Sequence, residues 1–251
     1  MNEFFLELKN VSKSFGKVLA LTDINIGVGH NEIIGLIGDN GAGKSTLIKI
    51  ISGLFPPDSG EIFMRGRKVE HLSTSFAHRN GIETVYQDKA LADQQTISSN
   101  IFMGREVCKF GGYINIEKQK KETEDLMKEI GFTSKLLSPD SVVLTCSGGE
   151  REGVAISRAM YFQANLVILD EPTTALSLME TRKVLNFVLK IKERGKSCIL
   201  ITHNIYHAYE VSDRFVVLDR GRVAETVNKK EISCENLMER MAHIAGSEVC
   251  T

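Results

Sequence analysis

The run Gly38-Asp39-Asn40-Gly41-Ala42-Gly43-Lys44-Ser45 holds the densest concentration of chemistry in the chain. It satisfies the spacing G-x-x-x-x-G-K-[ST] in full. Its glycines let backbone N–H groups curl around phosphate oxygens. A helix opening at Lys44 adds the positive end of its dipole. Lys44 then neutralises the β- and γ-phosphates and the Ser45 hydroxyl ligates Mg²⁺, with Thr46 closing the phosphate-contacting run. A second group of residues follows far downstream. Leu166-Val167-Ile168-Leu169 is an apolar strand that ends in Asp170-Glu171-Pro172. Asp170 at the strand's carboxyl end can hold Mg²⁺ through water. Glu171 is placed to orient or deprotonate an attacking water. An apolar run ending in two acids is by itself as consistent with a solvated strand end; the glycine-rich loop upstream gives it weight.

These groups need elements to hold them. Glu32–Ile37 reads as a buried strand running into the loop, and Lys44–Ser52 as the helix after it, stopped at Gly53 with Pro56 and Pro57 beyond. Before it, Phe4–Leu8, Val18–Leu21 and Asp23–Val28 are short β-prone runs, and Glu61–Met64 and Ile82–Tyr86 are further strands. Glu117–Ile130 is a charged amphipathic helix closed by Gly131, and Gly149–Phe162 a helix introduced by Ser-Gly-Gly. Alternation then returns. Strand Leu166–Leu169 precedes helix Glu180–Arg194, strand Ser197–Ile201, a helix around Asn204–Val211 and strand Arg214–Leu218; Ser233–His243 reads as a last helix. Short strands alternating with helices predict an α/β fold with a parallel sheet covered on both faces. The expectation is a P-loop NTPase (RecA-like) core with an N-terminal antiparallel β subdomain and a helical insertion over roughly 90–160, residues 1–251 forming one domain.

Composition agrees with a folded, water-facing chain. Of 251 residues, 42% are hydrophobic and 25% charged, and the formal net charge is −1. That balance offers no electrostatic case for nucleic acid, and none is expected as a partner. No basic stretch followed by an apolar run opens the sequence, so no secretory signal is read there. No apolar run nears the roughly 20 residues of a spanning helix, so membrane association is expected through a partner. Cys108, Cys146, Cys198, Cys234 and Cys250 are scattered without a C-x-x-C pair, which reads as reduced thiols in the cytosol.

Ser147-Gly148-Gly149-Glu150-Arg151 opens a helix shortly before the Asp170-Glu171 strand. A bare S-G-G is any loop feeding a helix. The order glycine-rich loop, S-G-G turn, carboxylate strand resembles the ABC ATPases along almost the whole chain. The resemblance implies that Ser147, Gly148, Gly149 and Glu150 form the signature motif, which binds the γ-phosphate of ATP held by a second protomer. It implies that Phe15 stacks on adenine, that Gln87 touches Mg²⁺ and water and senses a membrane partner, and that His203 is the switch histidine at the γ-phosphate. His203 and His207 also stand four apart, as metal ligands do, but no acidic or thiol partner is evident in the sequence.

Three positions depart from the family pattern. Cys146 stands where Leu is usual, Glu150 where Gln is usual, and Ser177 where many members carry Asp. The first two leave phosphate contact intact but put communication with the helical subdomain in question; the third does the same for coupling between the two ATP sites. Gly81–Asp88, Ala90–Asp93 and Asn100–Glu106 look like the ATPase subunits of bacterial ribose, xylose and fructose importers. The chain resembles the single-domain variety, so the implied partners are a second copy of itself, transmembrane permease subunits and, through them, an extracytoplasmic solute-binding protein. The implied place is the cytoplasmic face of the cell membrane. The other readings are an importer of another solute (amino acid, nucleoside or signalling sugar), an exporter, a soluble ABC ATPase acting on nucleic acid or ribosomes, and a subunit that binds ATP without hydrolysing it.

Overall fold

The computed structural model describes residues 4–88, 90–130, 137–162 and 164–246. Gly131 and Cys250 lie outside them. Two twelve-residue strands come first, β1 (Phe4–Phe15) and β2 (Val18–Gly29), turning at Gly16 with φ 60°. The short runs expected at Phe4–Leu8, Val18–Leu21 and Asp23–Val28 merge into this one hairpin. Register shifts along the β1–β2 pair absorb the interruptions, and Asn10 and Asp23 take the left-handed backbone there. With β3 (Ile33–Ile37) set aside in a second sheet, β4 (Ser59–Met64) and β5 (Arg67–Lys68) complete a four-stranded antiparallel sheet in the order β2-β1-β4-β5.

The second sheet has six strands. Besides β3 it contains β6 (Ile82–Val85), β7 (Leu166–Asp170), β8 (Ser197–Ile201), β9 (Arg214–Asp219) and β10 (Arg222–Asn228), in the order β10-β9-β3-β8-β7-β6. Five are parallel; β10 runs antiparallel to β9, so the sheet is mixed at one edge. β10 escapes sequence reading because most of its residues face solvent. The signal for it is the two-residue turn Arg220-Gly221, both residues at positive φ, which suits a tight hairpin.

β3 and β8 are buried at every position, as strands covered on both faces must be. Side chains of β3, β7 and β8 divide between two apolar clusters. Ile34, Leu36, Ile168, Ile199 and Ile201 face the antiparallel sheet and α1 (Lys44–Ile51). Ile33, Val167, Leu169, Cys198 and Leu200 face α5 (Gly148–Tyr161) and α6 (Leu178–Glu193). The intervening helices α2 (Thr74–Arg79) and α3 (Ile97–Phe102) are six residues each, too short to show periodicity; Ser73 and Thr96 cap them. With α4 (Ile116–Ile130), α3 and one side of α5 enclose a separate cluster of Ile97, Ile101, Phe102, Leu126, Met127, Val143, Cys146 and Val154. α7 (Ile205–Val211) and α8 (Cys234–Gly246) close the β9 side. Among the described residues, no helix is long and apolar enough to cross a membrane.

One half-buried cluster fastens the two sheets together. The Arg214 guanidinium donates to Glu32 Oε1 and Oε2 at 2.8 and 3.1 Å and to the Gly27 carbonyl at 2.7 Å. The Gly29 N–H donates to the same carboxylate at 2.8 Å. Removing the acid strands a cation and a backbone donor away from full hydration. Glu32→Ala is therefore expected to lower unfolding stability by about 2–3 kcal/mol in urea titrations. A loss below about 0.5 kcal/mol would put this contact in the class of solvated surface pairs.

Candidate functional site

Strand register decides which residues meet. Leu36 of β3 pairs with Ile201 of β8, Ile201 with Asp170 of β7, and Leu169 of β7 with Val85 of β6. All four strands thus end along one edge, and Gly38, His203, Glu171 and Gln87 are the residues just past it. Open parallel sheets bind ligands at this edge, where the loops leave the packed layers.

The loop after β3 is shaped by its glycines. Gly41 and Gly43 take φ 84° and 101°. A Cβ on Gly43 would lie 2.7 Å from Leu21 Cδ2 and 2.8 Å from the Ala20 carbonyl. Ala42 is anchored from outside: the Gly221 N–H donates to its carbonyl at 3.0 Å, and Thr22 binds Gly221 in turn at 2.7 Å. Lys44 is buried, and its ammonium donates to the carbonyls of Gly38 at 2.6 Å and Asp39 at 2.9 Å. The loop thereby presents N–H groups and a fixed cation to one cleft of about 270 Å³.

That cleft is lined by Asp39, Asn40, Gly41, Gly43 and Lys44 to Thr46 on one side and by Gln87, Asp170 and Glu171 on the other. Burial, then the neighbouring Glu171 charge, pushes the Asp170 carboxyl up, while Lys44 and Lys49 pull it down. Glu171 sits at φ 52°, a left-handed conformation that costs a non-glycine residue on the order of 1–3 kcal/mol. Its N–H bonds to the Ile201 carbonyl at 3.0 Å, and its Oε2 lies 2.7 Å from His203 Nδ1 and accepts from the Thr174 hydroxyl at 3.2 Å. His203 thus has the acidic partner that the sequence alone did not disclose. His207 looks elsewhere, with Thr173 Oγ1 3.1 Å from Nδ1 and Asn204 Nδ2 3.3 Å from Nε2.

Two expected features stand outside this cleft. Phe15 does not line it; its ring meets Phe55 edge-on at 5.5 Å, with the Lys13 ammonium 5.6 Å from the ring centroid. Val18 and Leu19 line it instead, both exposed on the strand that faces Phe15 across the hairpin. Sequence reading missed them, although two exposed apolar residues beside a phosphate loop are the kind of signal that marks a base-contacting rim. Ser147, Gly148, Gly149 and Glu150 also lie away from the cleft, at the N-terminus of α5. There Ser147 caps the Glu150 N–H at 3.3 Å and Glu150 Oε2 accepts the Ser147 N–H at 2.8 Å. The residues that depart from the family pattern have local roles: Glu150 completes that box, Ser177 caps α6 with Glu180, and Cys146 packs in the helical cluster.

The domain model of the ABC transporter family matches residues 21–174. The chain belongs to that family. This ABC chain is 43% identical to the xylose/arabinose import ATP-binding protein of Sulfolobus acidocaldarius, over 97% of its own length and 96% of the relative's. It is 38% identical to the fructose import ATP-binding protein of Rhizobium meliloti, with 95% and 94% covered. The ribose import ATP-binding protein of Caldanaerobacter subterraneus is 33% identical over 95% of this chain, which spans 48% of that longer protein. A dimeric ATP-binding cassette in a post-hydrolysis state with ADP and Pi is 26% identical and superposes with a TM-score of 0.76, covering 89% of this chain and 98% of that one. Another ABC transporter cassette, at 21% identity, shares the fold with a TM-score of 0.84 over 96% of this chain and 98% of its own. The architecture is the P-loop NTPase α/β core with an antiparallel β-sheet at its N-terminal side.

The Gly43 geometry makes a direct prediction. Gly43→Ala forces the loop off its observed path and is expected to weaken ATP binding at least about tenfold in calorimetric titration, with the circular dichroism spectrum retained. Unaltered affinity would mean that this loop does not set the phosphate site.

Proposed function

We propose that the chain is the ATP-hydrolysing subunit of an ABC importer of a small solute, a monosaccharide. The observation that carries this reading is the 43% identity, over nearly the whole of both chains, to a xylose/arabinose import ATP-binding protein. The chain acts as one nucleotide-binding domain over residues 1–251, the helices between roughly 90 and 160 forming its signature subdomain.

The residues support a division of labour. Loop residues Gly38 to Thr46 cradle the phosphates, Lys44 neutralises them, and Phe15 stacks on adenine from the hairpin end. Ser45, Gln87 and Asp170 offer a hydroxyl, an amide oxygen and a carboxylate on one cleft, a hard-oxygen set that suits Mg²⁺. A partly buried carboxyl raised by desolvation and then by a like-charged neighbour also gains from a cation beside it. When bound, the ion withdraws charge from the β- and γ-phosphate oxygens. Glu171 orients the attacking water and accepts its proton, while His203 holds Glu171 and reaches the γ-phosphate. Ser147, Gly148, Gly149 and Glu150 close on the γ-phosphate of a second copy, giving a two-site sandwich. The dimeric relative bound to ADP and Pi supports that pairing. The Gln87 region conveys closure to permease subunits at the cytoplasmic face of the membrane, and through them to an extracytoplasmic solute-binding protein.

Two experiments test this. Glu171→Gln is expected to bind ATP normally, hydrolyse it about 10²–10⁴-fold more slowly and accumulate as a closed dimer in sedimentation velocity. Turnover near that of the parent chain would remove Glu171 from its role. Affinity purification from native membranes should bring down a multi-spanning permease and a sugar-binding protein. A catch of soluble partners alone would overturn the import reading.

A further inference from the structure

The N–H groups at the start of α5 carry internal anions. Gly149 donates its N–H to Glu180 Oε1 at 3.1 Å, across from one helix to the next. The other oxygen of that carboxylate accepts from the Ser177 N–H at 3.0 Å and the Ser177 hydroxyl at 2.8 Å. These contacts, the Gly149 N–H first, hold the Glu180 carboxyl down at about 2. Gly149 makes the approach possible, because a Cβ there would lie 2.9 Å from Glu180 Cβ and Cγ. Glu180 therefore occupies the Gly149 N–H, one of the donors that the sandwich reading gives to a γ-phosphate.

We infer that Glu180 is a resident anion on the signature turn, which a second protomer's γ-phosphate must displace from the Gly149 N–H before the two-chain sandwich closes. The inference rests on that sandwich. A single backbone N–H serves one strong acceptor at a time, and a carboxylate beside an incoming phosphate repels it. Release is feasible because Ser177 keeps the second oxygen, so the side chain swings away without losing its cap on α6. A nucleotide without a γ-phosphate has nothing to compete with, and the turn stays latched.

The test uses the full chain carrying Glu171→Gln, with the ATP concentration for half-maximal dimer read by sedimentation velocity. Adding Glu180→Gln removes the charge and keeps the size. It is expected to lower that concentration about fivefold or more, the scale that separates a charged from a neutral acceptor. Adding Glu180→Asp shortens the reach to Gly149 while keeping the charge, and should shift it the same way by less. ATP affinity of the dilute single chain should stay unchanged in both. A purely structural cap would give the opposite sign, since loosening α6 only hinders closure. An unchanged or raised midpoint in both variants would overturn the inference while leaving the sandwich standing. Failure of Glu171→Gln alone to dimerise at any ATP concentration would overturn the sandwich itself, and the latch with it.

Discussion

The parallel register of β6, β7, β8 and β3 is the constraint on which the site depends. Pairing Val85 with Leu169, Asp170 with Ile201 and Ile201 with Leu36 leaves no freedom in where the four strands end. A shift of one residue would turn every apolar side chain to the opposite face. Both faces are packed, so such a slip would break two clusters at once. The cores on either side therefore act as a ruler that sets Gly38, Gln87, Glu171 and His203 beside one another.

Charge in the cleft is balanced on a small scale. Asp170 and Glu171 bring two adjacent acids to a partly buried edge, and Lys44 and Lys49 are the cations that lower the first of them. Lys44 is itself held by two loop carbonyls, so its position is fixed by the backbone and not by the acids. Glu171 keeps a left-handed backbone and meets His203, which places an oriented carboxylate next to the phosphate loop. Preorganised groups of this kind need little rearrangement as charge moves in a reaction.

The start of α5 follows a different logic. The turn at Ser147 to Glu150 is built from helix caps, and the two capping boxes at Ser147 and Ser177 meet through Glu180. This chain's Glu150 and Ser177 are well suited to capping. Cys146 joins the helical core beside Val143 and Val154 and keeps that subdomain packed against the turn. Glu150, Ser177 and Cys146 thus each have a local structural role, and Ser147, Gly148 and Gly149 stand at the helix start.

Spacing alone was enough to read the phosphate loop as a contiguous run with local backbone chemistry; the carboxylate pair took its weight from that loop, and the reading of Ser147 to Glu150 came from the resemblance to ABC ATPases. The short apolar strands β3, β7, β8 and β9 and the helices from α4 onward were legible because their patterning lies within a few residues. What the sequence could not carry was contact between distant segments. The first hairpin, β10 and the helices α2 and α3 are local and went unread for local reasons: register shifts, solvent-facing residues and six-residue length. Contact between distant segments includes the meetings of Glu171 with His203 and of Gly149 with Glu180. It also includes Val18 and Leu19 lining the cleft that Asp170 and Glu171 bound from another part of the chain. The two hydrogen-bonded contacts join residues 32 and 31 apart in the sequence, and only the folded chain brings such partners together.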